Sequence, residues 1–107
     1  MSYLSYAVME YHDKATWEKV RDSTEDMVDE IGILASPDQI LEGKECVVCV
    51  YDWVNHFPDE MTVKDFMGSI LIPETAYGGE RWGEENGDYE EYGRHPIDYI
   101  IDWKVRL

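Results

Sequence analysis

Residues 78–96 read GGERWGEENGDYEEYGRHP. The stretch holds no Val, Ile, Leu, Phe or Met, so it offers nothing from which to build a core. Glu80, Glu84, Glu85, Asp88, Glu90 and Glu91 face only Arg81 and Arg94, six carboxylates against two guanidinium groups. Read this way, residues 78–96 are an acidic aromatic loop, and the strands of the fold lie elsewhere. Asn86-Gly87 is a tight-turn pair, so the loop is expected to be an extended hairpin loop with its tip there. That tip would gather Glu84, Glu85 and Asp88. Trp82, Tyr89 and Tyr92 beside them supply the large rigid contact area typical of interface anchors.

The rest of the chain alternates between strand and helix signals. YLSYAVMEY, residues 3–11, is Tyr-rich, lacks Gly and Pro, and reads as a strand. Asp13 is a helix N-cap, and Trp17, Val20, Thr24, Met27, Val28 and Ile31 share one face of a helix predicted to run to Ile31. Gly32 suits the left-handed position after its last turn, with Ile33 closing onto Val28. The other face carries Glu18, Asp22, Glu25, Asp26, Asp29 and Glu30. Glu18–Asp22, Glu25–Asp29 and Asp26–Glu30 are like-charge pairs at i,i+4, each costing roughly 0.2–0.5 kcal/mol. Lys14–Glu18 and Arg21–Glu25 are the favourable pairs at that spacing. The carboxylates also crowd the negative end of the helix dipole. The pattern reads as a negative ridge held against the interest of the helix.

SPDQILEG, residues 36–43, carries an N-cap Ser, an N1 Pro, a capping-box Gln and a closing Gly, which together predict a short second helix. ECVVCVYDWV, residues 45–54, is apolar on both sides and reads as an interior strand. Thr62 and Asp65 suggest a helical turn over Val63 to Met67, and SILIPE, residues 69–74, reads as a short strand stopped by Pro73. PIDYIIDWKVRL, residues 96–107, alternates cleanly and is expected to be a strand with one buried side. The sum is a single α+β domain over residues 1–107. It has a small, mainly antiparallel sheet of about four strands, one long helix packed on a face, and a short second helix.

Charge bounds the function. With 24 acidic and 9 basic residues the formal net charge is -15. Direct nucleic-acid binding is disfavoured, because neutralising phosphates takes Lys and Arg. Anionic membranes are disfavoured for the same reason. The opening MSYLSYAVMEYHDK lacks a basic, then apolar, signal pattern, and no run reaches membrane-spanning length, so a cytoplasmic location is expected.

No reactive motif emerges. Cys46 and Cys49 fall on opposite faces of a strand, which sets them against a shared metal or a disulfide. His12, His56 and His95 form no helical zinc pair. A Cys49, His56, Asp52 nucleophile set conflicts with a thiol inside an apolar strand. EENGDYEE misses the EF-hand spacing. The chain is therefore expected to be non-catalytic and without a cofactor, and a calcium module or small enzyme is a minor alternative.

The partner implied is a basic protein. A nuclease or another nucleic-acid-binding protein presents such a surface, and carboxylates can occupy the places of phosphates on it. Asp22, Glu25, Asp26, Asp29, Glu30, Glu84, Glu85, Asp88, Glu90 and Glu91 would carry the field, and Trp82, Tyr89 and Tyr92 would anchor. Phage counter-defence proteins of the anti-CRISPR or anti-restriction type, and immunity proteins against nuclease toxins, work in this way as a class. The comparison rests on charge and size. The alternative is an acidic interaction or assembly domain whose charge serves solubility or a salty cytoplasm. A homodimer through the C-terminal strand is also open, with Ile100 on its wetter face.

Overall fold

The computed structural model describes residues 3–43 and 46–94. The strand expected over residues 96–107, the dimer contact through it, and His95 lie outside the described residues. Five antiparallel strands form one sheet in the order β2-β3-β1-β4-β5. They are β1 (Leu4–Tyr11), β2 (Gln39–Glu42), β3 (Val47–Asn55), β4 (Tyr77–Gly83) and β5 (Tyr89–Gly93). The α+β class is as the sequence indicates, with five strands among the described residues where about four were expected.

β1 is the centre of the sheet, and its strict alternation explains why. Ala7, Met9 and Tyr11 point to one face and enter the main core; Val8 joins Val48 in a smaller cluster on the other. Every buried apolar residue from a helix belongs to the main core: Trp17, Val20, Val63 and Met67, joined by Ile31 and Leu34 from a 3-10 turn over Glu30–Ala35. The smaller cluster is made of strand residues and Cys46.

The first helix, α1 (Lys14–Thr24), starts where Asp13 predicts: its Oδ1 accepts from the Thr16 amide at 2.7 Å. It stops well before Ile31. Thr24 turns its hydroxyl back onto the Val20 carbonyl at 2.8 Å, and the next two residues, Glu25 and Asp26, bring carboxylates to the negative end of the dipole. Ile31 still reaches the core, but from the 3-10 turn. Met27 and Val28 are left outside, and the Gly32 amide bonds Asp29 instead of closing a helix end.

The short helix expected over residues 36–43 is strand β2. A helix of one or two turns is marginal by itself, and here the chain finds a ladder instead: Gln39 to Glu42 pair with Val50 to Val47. Asp38 fixes the entry, its carboxylate accepting from the Asp52 amide at 2.7 Å.

α2 (Glu60–Ser69) is longer than the turn read at Val63 to Met67, and its cap is Asp59, which accepts from both the amide and the hydroxyl of Thr62. SILIPE is not a strand. It closes α2 in a Schellman motif: the Ile72 amide donates to Met67 at 2.9 Å and the Leu71 amide to Gly68 at 3.1 Å. Leu71 occupies the left-handed position at φ 62.

The largest correction is at residues 78–96. They supply two strands rather than one long loop. The loop is only Glu84 to Asp88, closed by the Gly83 amide donating to the Asp88 carbonyl at 2.9 Å, with Gly87 at φ 88. The Asn86-Gly87 tip is where the sequence puts it. A stretch without aliphatics joins a sheet because β4 lies against β1. Gly79 is covered by the Met9 side chain, where a Cβ would collide with the sulfur and with the Val8 carbonyl. Tyr92 supplies the core contact, fully buried, with its hydroxyl donating to the Pro58 carbonyl at 2.8 Å.

Candidate interaction surfaces

The acids of the hairpin divide by face. Arg81 is 7 % exposed and points to the helical side of the sheet. Its Nη2 meets Asp88 Oδ1 at 2.8 Å and Glu90 Oε1 at 2.7 Å, while its Nη1 donates to Ser5 Oγ at 3.0 Å. The other oxygen of Glu90 accepts from the Glu60 amide at 2.9 Å, tying the hairpin to the start of α2. Asp88 also accepts from the Tyr3 hydroxyl at 2.5 Å. The Arg81 guanidinium first, and the Tyr3 hydroxyl second, hold the Asp88 carboxyl below the usual range. Arg81 is correspondingly held in its charged form. Asp88 and Glu90, expected to face a partner, are thus internal counter-ions. Glu84 accepts from the Leu4 amide at 3.0 Å, yet it and Glu85 remain exposed at the tip.

The expected helix ridge is also redistributed. Asp22 lies on α1 and pairs with its neighbour Arg21 at 3.0 Å, so the expected Arg21–Glu25 pair is replaced. Glu25, Asp26, Asp29 and Glu30 leave the helix and occupy the connection to the 3-10 turn. Every residue from Glu25 to Glu30 is exposed, including Met27 and a Val28 that is 103 % exposed. None of the four carboxylates forms an ion pair with a described residue.

The aromatic anchors divide in the same manner. Tyr92 is core, so it cannot touch a partner. Trp82 and Tyr89 instead lie opposite one another on the face away from the helices, their ring centroids 5.7 Å apart. Two rings that the sequence reading missed extend the row. Tyr6 lies opposite Trp82 on β1 at 5.8 Å, and Trp53 on β3 approaches Tyr6 at 6.0 Å. Trp53 reaches that place through a β-bulge: Ser5 pairs with Val54 and Ala7 with Tyr51, so Asp52 and Trp53 together oppose Tyr6. Trp53 adopts φ 52, a conformation that a bulky side chain rarely takes. Counting in twos along a strand has no means of foreseeing an extra residue.

The outcome is a stripe of four rings, Trp53–Tyr6–Trp82–Tyr89, crossing four strands. Its ends are open, Trp53 at 48 % and Tyr89 at 40 % exposure. Behind Tyr89 its hydroxyl stands between two carboxylates, Glu80 Oε1 at 3.1 Å and Glu91 Oε1 at 3.0 Å. Burial, then those two acids, push the Tyr89 phenol up.

Nucleophile chemistry is poorly served. Cys49 lies in the main core and burial pushes its thiol up to about 12, while His56 is exposed at the end of β3. Cys46 packs on the opposite side of the sheet, as the spacing indicates. His12 bonds the Ala76 carbonyl and Asp13. Among the described residues no group of three His, Cys, Asp or Glu side chains is arranged to hold a metal ion, and no helix is long and apolar enough to cross a membrane. Comparison with protein-family models, with curated proteins and with solved structures finds no match.

Proposed function

We propose that this protein is a non-catalytic acidic inhibitor in the cytoplasm that occupies the basic, nucleic-acid-binding surface of a nucleic-acid-acting protein. A restriction or CRISPR nuclease, a DNA-repair enzyme or a nuclease toxin is the kind of target meant. The observation that carries the reading is the segment Glu25–Glu30, which offers four carboxylates without ion-pair partners among the described residues around an exposed Met27 and Val28. Carboxylates there would stand where phosphates stand on the target, and the two apolar side chains would add contact area. Glu84 and Glu85 at the hairpin tip extend the negative surface. Asp88, Glu90 and Tyr92 drop out of the binding set, since the fold uses them.

A long-range field of net charge -15 would speed encounter with a basic surface, an effect that salt weakens. The test is capture from host lysate on immobilised protein at low and high salt, with duplex DNA as competitor. A basic nucleic-acid-acting protein that is lost at high salt and displaced by DNA supports the reading. Capture indifferent to both salt and DNA overturns it, and points to an interaction domain whose acidity serves solubility.

A further inference from the structure

The four-ring stripe needs its own explanation. Hiding apolar area accounts for the middle of the row, where Tyr6 and Trp82 pack on the smaller cluster, but not for its ends, where Trp53 and Tyr89 are exposed. Nor is it a by-product of strand pairing. Trp53 joins the row only through an extra residue held at φ 52, and unfavourable backbone of this kind persists where a side chain has to be aimed.

We propose that Trp53, Tyr6, Trp82 and Tyr89 form a docking surface for an arginine-bearing segment of a partner protein. Guanidinium planes stack on exposed indole and phenol rings, and the same group can pair with a carboxylate. Glu80 and Glu91 both accept from the Tyr89 hydroxyl and so place negative charge behind that ring. The cation nearest in sequence, Arg81, is turned to the other face and held by Asp88 and Glu90. The stripe is thus negative at its Tyr89 end.

Other occupants fit less well. Stacked rings on a sheet also suit the bases of single-stranded nucleic acid, but such platforms run beside cations that neutralise the backbone, and this chain is at -15. A second copy would bring the same charge to the contact. Lysine matches the charge without the plane. The inference rests on the proposed function only for the positive sign of the partner, and it adds that arginine, rather than charge alone, is recognised.

The test is titration calorimetry of the full chain, at fixed ionic strength, with hexa-arginine, hexalysine and an oligothymidylate of twelve nucleotides. Hexa-arginine is expected to bind about fivefold more tightly than hexalysine, the size of a stacking contribution at exposed rings. Trp53→Leu, a change at an exposed site, should bring hexa-arginine down to the hexalysine value. Tyr89→Phe, which keeps the ring, should retain the arginine preference. Neutralising Glu25, Asp26, Asp29 and Glu30 to their amides should weaken both peptides by one common factor. Equal affinity for the two peptides, indifference to Trp53→Leu, or preference for the oligonucleotide each overturns the inference. If arginine preference is absent while lysate capture stays sensitive to salt and DNA, this inference fails and the proposed function stands. If preference is present but capture ignores salt and DNA, the reverse holds.

Discussion

Arg81 and Glu90 are cross-strand partners on β4 and β5 whose side chains meet at 2.7 Å, with Asp88 closing the group at 2.8 Å. Arg81 is nearly buried, whereas the two carboxylates are roughly a third open to solvent. Removing the cation leaves both acids facing each other in a poorly hydrated place. Arg81→Met is expected to destabilise the fold by about 3 kcal/mol, the lower part of the range for breaking a buried pair. Adding Glu90→Gln should recover part of that loss, a coupling that urea unfolding of the single and double variants would measure.

Asp88 gives a pH prediction with a definite sign. Its folded pKa lies below its unfolded value, so folding favours the carboxylate. The stabilisation is complete above the unfolded value, near 4, and is lost as pH falls through the folded value. The wild-type chain should therefore lose its advantage over Asp88→Asn on acidification from about pH 5 to about pH 2. Thermal melts of both proteins across that window check it. The comparison between the two cancels the relief of self-repulsion that the whole chain gains as its other acids protonate.

The end of α2 predicts a stabilising change. Leu71 is 84 % exposed and sits at φ 62, the Schellman position that glycine fills without strain. A non-glycine residue there costs roughly 1–2 kcal/mol, while glycine carries an unfolded-state entropy penalty of about half that. Leu71→Gly is expected to raise stability by about 0.5–1 kcal/mol. The urea midpoint should rise with the slope of the transition unchanged.

The two thiols should separate cleanly. Cys49 is buried, with its pKa pushed up to about 12, so almost no thiolate exists at neutral pH. Cys46 is half-buried on the other side of the sheet. A disulfide reagent such as DTNB should label Cys46 in the native protein, and label Cys49 only on unfolding. Fast labelling of Cys49 would show that the core around Tyr11 and Tyr51 opens readily.

The sequence made the regular parts of this fold legible and hid the irregular ones. A Tyr-rich run without Gly or Pro found β1, apolar character on both sides found β3, and the Asp13 cap found the start of α1, because each is a local signal that tertiary contacts reinforce. The end of α1 was misplaced because Met27, Val28 and Ile31 keep helical spacing while the helix dipole and the Thr24 back-bond work against continuation. Residues 36–42 carry a good helix cap, yet an open sheet edge outweighs a cap on so short a segment. Residues 77–93 were hardest. Their strand character comes from glycines that let β1 approach and from an internal ion group, neither of which a hydrophobic pattern registers. The site was half legible for the same reason. Trp82 and Tyr89 were singled out from their neighbours in the sequence, but the bulge that adds Trp53, and the burial that removes Tyr92, depend on contacts distant in sequence.

The central position of β1 has a consequence for biosynthesis. β1 is synthesised before both strands that flank it, β3 on one side and β4 on the other, and Ser5 finds Arg81 only 76 residues later. Such distant pairings close slowly. The nascent chain therefore carries Tyr6 and its neighbours uncovered until β3 and β4 have emerged, at the stage when chaperones act. The aromatic row does not exist until the hairpin has emerged, so exposure of that surface reports that the sheet has been assembled.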